Sequence, residues 1–259
     1  MDQIGAERMP ETNYPVEAKT ERQARINLAA CYRLMAHFRM TDMIHTHISA
    51  RVPGSHDEFL ISPYGVMFDR VTASSLVKVD IEGNVLEDSS GLGINVGGFV
   101  FHAAVHKARP DVECVMHAHT VATMTVSAQP DGLLPICQHA MFLHDRISYF
   151  DYSGFFETTE KCDALAAALG DRSIIMLRNH GPVVAGRTSA QAFNLMYYLE
   201  RSCQVQVATQ SAGVGYLLPN KEDVEHVASA FAAPGATTVS REWNALLQML
   251  DRLDPSYMH

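Results

Sequence analysis

Two histidines stand two residues apart at the end of an apolar run, where the sequence reads CVMHAHTVAT. In a β-strand His117 and His119 point to the same face with Cβ atoms about 7 Å apart, and two such imidazoles can bind one divalent ion. A catalytic metal site takes three protein ligands and keeps one position open. His180, at a predicted strand end before Gly181 and Pro182, is the candidate third ligand. The alternative is a strand whose exposed face carries two histidines without a metal.

Two other histidine pairs are rivals for a metal. His45 and His47 repeat the two-residue spacing in HTHISARV, while His102 and His106 stand one helical turn apart in FHAAVHKARP. The helical pair lacks the adjacent glutamate of the HExxH motif, and such histidines more often serve packing or solvent contact. The glycines of GLGINVGG do not have the spacing of a dinucleotide-binding loop.

The elements that must position these histidines follow from hydrophobic periodicity. Helical spacing predicts helices in ERQARINLAACYRLMAHF, FVFHAAVHKARP, TTEKCDALAAALG and TSAQAFNLMYYLERSCQVQVATQ, with one or two more between residues 220 and 259. Alternation and short apolar runs predict strands in HTHISARV, EFLISPYGVMF, VECVMHAH and RSIIMLRNHGPVVAG, and a hairpin in SLVKVDIEGNVLED. The interleaving predicts an α/β fold in which a central, largely antiparallel sheet carries helices on both faces.

Length and composition indicate an ordinary globular protein. The 259 residues suit one hydrophobic core, and we predict a flexible N-terminal arm over 1–17 and a single domain with C-terminal helices over 18–259. We expect a cytoplasmic protein without a membrane partner, because no apolar run approaches the roughly 18 residues of a membrane span and no signal peptide is visible. The net charge of −9 argues against nucleic acid as a partner.

Three longer stretches resemble the class II aldolase/adducin family. They are FHAAVHKARPDVECVMHAHT, LISPYGVMFDRVTASSLVKVD and IIMLRNHGPVVAG, and the match runs in order from about residue 20 to about residue 212. The resemblance implies a three-layer α/β/α sandwich that assembles as a homotetramer with active sites between subunits. It also implies one divalent metal per subunit, zinc before manganese or iron, held by His117, His119 and His180.

The catalytic carboxylate of the sugar-phosphate aldolases is missing from this sequence. Their Ser-Ser-Glu triplet supplies the acid/base and part of the phosphate site, and it falls on Val96, Gly97 and Gly98. GINVGGFVFH, HISARV and QHA instead resemble the adducin-head branch of the family. The resemblance therefore extends to the fold and the metal but not to the glutamate or the phosphate pocket.

Other functional positions of the aldolases are also changed. An asparagine near their site falls on His47, and a threonine of their second phosphate loop falls on Tyr64, although Gly65 remains. The tyrosine that reaches in from a neighbouring subunit as proton donor falls on His139. His47 and His139 are candidate catalytic residues because an imidazole titrates near neutrality.

The leading hypothesis is a metal-dependent carbon–carbon lyase, aldolase-like or decarboxylase-like. Its substrate is a small oxygenated carbonyl compound or hydroxy acid, which reacts through a metal-stabilised enolate and need not carry phosphate. Tyr64, Gly65 and Arg178 are candidate substrate-binding residues, with Arg51 as a further one. Two alternatives remain open, a non-catalytic adducin-like oligomerisation module and a non-haem iron oxygenase on the same scaffold.

Overall fold

The computed structural model describes residues 14–152, 154, 158–232 and 239–259. The strands are β1 His47–Arg51, β2 Glu58–Ile61, β3 Val77–Asp80, β4 Val85–Glu87, β5 Cys114–His117, β6 Ile147–Phe150, β7 Ile174–Leu177 and β8 Gly181–Gly186. They form one sheet in the order β4-β3-β2-β1-β5-β8-β7-β6. Neighbouring strands of this sheet are antiparallel, except that β6 and β7 run parallel. The prediction of a largely antiparallel central sheet is confirmed.

Helices connect and cover these strands. They are α1 Glu21–His37, α2 Val96–Ala108, α3 Val121–Ser127, α4 Gln138–Phe142, α5 Thr159–Leu169, α6 Ser189–Ser211, α7 Lys221–Ala232 and α8 Val239–Leu253. The side chain of Asn95 caps α2, and threonine side chains cap α1, α3, α5 and α6 by accepting a hydrogen bond from the backbone of the first turn. Within the described ranges, no helix is long and apolar enough to cross a membrane.

Each face of the sheet has its own hydrophobic core, because successive side chains of a strand point to opposite faces. In β5, Cys114 and Met116 pack in the core that α1, α6 and α8 complete, whereas Val115 packs with α2 and α5 on the other face. His47 of β1 pairs with His117, and Ser49 pairs with Val115. These polar side chains therefore lie on the α2 face of the sheet, which is where the functional groups collect.

The predicted N-terminal arm, residues 1–17, is described only from residue 14 onward. Its residues 1–13 lie outside the described part of the chain. The backbone N–H of Tyr14 donates to Oδ1 of Asn244 at 2.6 Å, and its hydroxyl donates to Asp251 on α8. Val16 packs against the core under α1. The described end of the arm therefore contacts α8 through Tyr14, and the flexibility predicted for residues 1–17 stays a prediction.

Glu113, immediately before β5, gives the fold a specific pH dependence. Its Oε1 accepts hydrogen bonds from the backbone and the hydroxyl of Ser189, and burial raises its pKa from 4.5 to about 7. Because the folded pKa is the higher one, the protonated carboxyl contributes stability that is complete below pH 4.5 and is lost as the pH rises through about 7.

We therefore expect Glu113→Gln to stabilise the fold progressively between pH 4.5 and 7. The advantage over the wild type should reach on the order of 2 kcal/mol above pH 7, measured by urea unfolding at a series of pH values. Glu82→Gln, at an exposed turn, is the control and should show no such trend. An advantage of Glu113→Gln that stays constant across this pH range would contradict the assignment.

Candidate metal centre

Three imidazoles meet where the end of β5 approaches the turn between β7 and β8. Nε2 of His119 lies 2.7 Å from Nε2 of His117 and 2.9 Å from Nε2 of His180. Nitrogen atoms of the three rings all lie within 4.8 Å of one another. His117 is buried, and the other two rings are half-buried. The three histidines favoured by the sequence are thus brought to one point, as a metal site requires.

The close approach of two backbones creates this convergence. Gly181 has φ +148°, and a Cβ placed on it would lie 2.4 Å from the carbonyl oxygen of Ala118. Asn179 is left-handed at φ +59°, so the chain turns sharply on both sides of His180. Only glycine allows the turn to come this close to the residue between His117 and His119.

The hydrogen bonds behind the cluster decide which ring nitrogens face inward. Nδ1 of His117 lies 2.9 Å from the carbonyl oxygen of Pro182, and Nδ1 of His119 lies 3.1 Å from Oδ2 of Asp42. A carbonyl or an ionised carboxylate only accepts, so each Nδ1 carries the ring proton and donates it. Both Nε2 atoms then present lone pairs toward each other, as in metal-binding histidines held by carbonyl or carboxylate partners.

A bound cation would remove the repulsion between these lone pairs. Burial, together with His47, His119 and His180, lowers the pKa of His117 well below its ordinary value, and burial and His119 lower the pKa of His180 to about 4. Neutral rings with Nε2 atoms 2.7 Å apart cannot hydrogen-bond to each other when both protons are on Nδ1. The donor set therefore fits a divalent ion bound by three imidazole nitrogens.

A cavity of about 550 Å³ opens onto the cluster. Besides the three histidines, its lining includes Asp42, His45, Thr46, His47, Asn95 and Gly98. Sequence reasoning did not select Asp42, Thr46 or Asn95. Asp42 is 77 residues from His119 in the sequence, and no local motif links the two. His45 lines the cavity but is not part of the three-histidine cluster.

His47 and Gly98 share one space at the wall of this cavity. A Cβ on Gly98 would lie 2.2 Å from Nε2 of His47. The His47 ring is held from several sides, because its Nδ1 lies 2.8 Å from Nε2 of His102 and its centroid is 5.3 Å from those of Phe101 and His117. The imidazole therefore stands where a side chain of residue 98 would begin, and the absence of that side chain makes room for it.

His139, the other candidate catalytic residue, lies elsewhere. It is on α4, where its ring packs 4.9 Å from that of Tyr198 and 5.9 Å from that of Phe142. It is not one of the described residues that line the cavity of its own chain. The expectation that this residue reaches the site of a neighbouring subunit stays a prediction.

The candidate substrate-binding residues are not brought to the cavity wall. The guanidinium of Arg178 donates to the carbonyl groups of Gln129 and Pro130 and stacks 4.3 Å from the ring centroid of Tyr149, so its donors already have partners. The backbone N–H of Tyr64 donates to Gly93 at 2.9 Å, which places the Tyr64-Gly65 turn beside the loop before α2. We retain Tyr64 and Gly65 as predictions and do not carry Arg178 further.

Comparisons with known proteins bear on the family and the fold of this chain. The family model described as Class II Aldolase and Adducin N-terminal domain matches residues 26–207. An aldolase II superfamily protein from Pseudomonas syringae has a crystal structure with a TM-score of 0.89 and 44% identity, over 94% of this chain and 98% of that chain. L-fuculose 1-phosphate aldolase from Glaciozyma antarctica PI12 shares the fold at a TM-score of 0.81 and 22% identity, over 94% and 96% of the two chains.

Adducins also occur among the relatives, since alpha-adducin of Mus musculus is 38% identical over 249 residues. That match covers 91% of this chain but only 34% of alpha-adducin. The present chain therefore corresponds to about a third of the length of alpha-adducin.

The steric relation between His47 and Gly98 predicts different effects for two neighbouring glycines. Gly98→Ala should destabilise the fold by about 1–3 kcal/mol, because the new methyl group displaces a ring that is packed on several sides. Gly97→Ala, whose Cβ would meet only Oδ1 of Asn95 at 3.7 Å, is the matched control and should be neutral or slightly stabilising. Thermal unfolding measures both, and equal effects of the two substitutions would contradict the assignment.

Proposed function

The chain belongs to the class II aldolase and adducin family, and from that premise we propose that it is a metal-dependent carbon–carbon lyase. Its substrate is a small oxygenated carbonyl compound or hydroxy acid. One observation carries the proposal: the three-histidine cluster and Nε2 of His47 face the same cavity. A metal-binding group and a proton-transferring group thus stand side by side, as bond cleavage next to a carbonyl requires.

A divalent ion bound by His117, His119 and His180 would act as a Lewis acid on adjacent substrate oxygens and stabilise the negative charge that develops there. Zinc is the ion we expect, because three imidazoles with an open position are typical zinc ligands, and manganese or iron are the alternatives. Asp42 holds the His119 ring in the orientation that presents Nε2.

His47 is the proposed acid–base group. Its Nε2 makes no hydrogen bond to any residue that the structure describes, and it faces the cavity over Gly98. In the sugar-phosphate aldolases a glutamate performs this proton transfer, and we propose that the imidazole has taken its place. In an aldol cleavage Nε2 of His47 would take the proton of a substrate hydroxyl, and in a decarboxylation it would first take a proton from solvent and then pass it to the carbon that has lost CO₂.

Charge and size in the cavity favour an anionic substrate. Of the described lining residues, Asp42 is the single carboxylate, and lowered pKa values keep the rings of His117 and His180 neutral. A dication there leaves a net positive charge, which attracts keto or hydroxy acids. The first turn of α2 offers Val96 and Gly97 where the sugar-phosphate aldolases carry serines, so a phosphate group is not needed. A volume of about 550 Å³ suits a small molecule.

We further propose a homotetramer in which His139 contributes to the cavity of a neighbouring copy. Support comes from the family resemblance and from the position of His139 away from its own cavity. Once a substrate is known, mixing copies that carry His139→Ala with copies that carry His117→Ala tests the idea. Restored activity in the mixture supports a shared site, and its absence in a verified mixed oligomer contradicts one.

A non-catalytic assembly module is the second candidate function. It is favoured by the 38% identity with alpha-adducin. The two candidates differ in what they require of the cavity, since an assembly module needs neither a bound metal nor His47. Screening keto and hydroxy acids by thermal shift and turnover, with and without the metal, separates them.

Metal retention is the first test of the lyase. Wild-type protein should be purified with a divalent metal, and His117→Ala or His180→Ala should lose it because each removes one of three ligands. His56→Ala, which removes an exposed histidine, is the control and should keep the metal. A chelator should lower the melting temperature of the wild type and of His56→Ala but not that of the two ligand variants. Equal metal contents in all four proteins would overturn the site.

The role of His47 is tested separately. His47→Ala should keep the metal, since Nε2 of His47 is not part of the cluster, while turnover of an identified substrate falls by roughly 10²- to 10⁴-fold. Metal analysis and steady-state kinetics on the same preparation provide both values. Turnover that persists within a few fold of the wild type would exclude His47 as the acid–base group.

A further inference from the structure

A buried chain of polar side chains runs from the cavity into the space between β1 and α2. Nδ1 of His47 lies 2.8 Å from Nε2 of His102, and Nδ1 of His102 lies 2.8 Å from Oγ of Ser49. The same Oγ lies 2.9 Å from Nε2 of His106. All four residues are buried, with Ser49 and His102 at 0% exposure. Ser49, His102 and His106 do not line the cavity, so these side chains can act on the site only through His47.

Two sequence patterns interlock to form this chain. His47 and Ser49 lie two apart on β1, and His102 and His106 lie four apart on α2, so each pair shares one face of its element. Helix α2 and strand β1 therefore contact each other here through polar side chains, whereas packed apolar side chains are usual between a helix and a sheet. Buried polar groups are costly unless they are hydrogen-bonded, and here the four side chains bond to one another.

The chain can run from end to end in two directions, because a neutral imidazole has one N–H and one lone pair and a hydroxyl donates once. The Ser49 oxygen could also accept from both His102 and His106, and this third arrangement leaves a lone pair on Nδ1 of His106. In the first direction each group donates away from the cavity: His47 Nδ1–H to His102, His102 Nδ1–H to Ser49, and the Ser49 hydroxyl to His106. His106 then carries its proton on Nδ1. In the second direction every donor is reversed, and His47 carries its proton on Nε2, facing the cavity.

The inner end of the chain selects between these directions. Nδ1 of His106 is buried and makes no hydrogen bond of regular geometry, but the backbone of Val112 acts on this ring and raises its pKa. An interaction that raises the pKa of a histidine comes from an acceptor, which is the carbonyl of Val112. The first direction places an N–H toward that carbonyl, whereas the second places a lone pair toward it. The first direction is therefore favoured.

The chain also stays neutral, so that each ring keeps a single proton. Burial lowers the pKa of His106 to about 3, and the positive charge of Arg51 acts in the same sense. Arg51 donates to the carbonyl oxygen of His106 at 2.7 Å, and the ring of Phe59 lies 4.5 Å from the His106 ring. Cationic and apolar neighbours on this side exclude a second proton from His106.

We propose that His106, Ser49 and His102 are positioning residues that fix the tautomer of His47, with its proton on Nδ1 and its lone pair on Nε2 toward the cavity. His47 thus rests as a proton acceptor at the atom that faces Gly98. The use of that lone pair on a substrate proton rests on the proposed function, whereas the tautomer itself does not.

Neutron diffraction on deuterated crystals of the whole protein, with its bound metal, tests the tautomer directly. Deuterium is expected on Nδ1 of His47, His102 and His106 and on the Ser49 hydroxyl toward His106, and Nε2 of His47 should carry none. Deuterium on Nε2 of His47 and Nε2 of His102 would overturn the proposal, even in a fully active enzyme. If the expected deuterium pattern is found in a protein that turns over no substrate, the tautomer proposal is supported and only the proposed lyase activity is contradicted.

Ser49→Ala tests whether the chain causes the tautomer. Removing the hydroxyl separates His102 from His106, so we expect Nε2 of His47 to become partly protonated, as seen by ¹⁵N NMR of the ring nitrogens or by neutron diffraction. Ser202→Ala is the matched control, because Ser202 is equally buried and its hydroxyl donates to the carbonyl of Tyr198. This control should leave the His47 tautomer unchanged. An unchanged tautomer in Ser49→Ala as well would overturn the positioning role.

Discussion

The contact between Gly181 and the carbonyl of Ala118 is the constraint on which the candidate site depends. It joins two turns whose histidines, His119 and His180, are 61 residues apart in the sequence. Because the backbones are this close, the imidazole rings of His119 and His180 reach each other directly. The carbonyl of Pro182, one residue further, then orients the His117 ring. A single close approach of two backbones therefore sets the distance between the rings and, through Pro182, the nitrogen that His117 presents.

Sequence reasoning predicted the features that depend on short-range periodicity. The side-chain alternation of a strand put His117 and His119 on one face, and the sheet with helices on both faces followed from the order of elements. Arg178 was selected for its nearness to His180 in the sequence, which does not show that its guanidinium bonds to the carbonyl groups of Gln129 and Pro130. Asp42 could not be found, because its pairing with His119 exists only after β1 and β5 have come together.

The glycine at position 98 was visible in the sequence, but the side chain that occupies the space beside it was not. His47 and Gly98 are separated by a hairpin and a loop, and only the folded backbone shows that one residue fills the space beside the other. The helical histidine pair, His102 and His106, was interpreted as packing or as rival ligands. It proved to be a hydrogen-bonded support, because Ser49 on the facing strand links the two rings. Neither set of contacts can be predicted from the sequence of one helix or one strand alone.

The shared space of His47 and Gly98 also constrains how such a site can arise by mutation. A side chain at position 98 and the His47 ring in its present place exclude each other, so an exchange of one for the other cannot begin by adding the newcomer. The side chain already present must become smaller first, and the intermediate protein would then have an empty space in this part of the cavity wall.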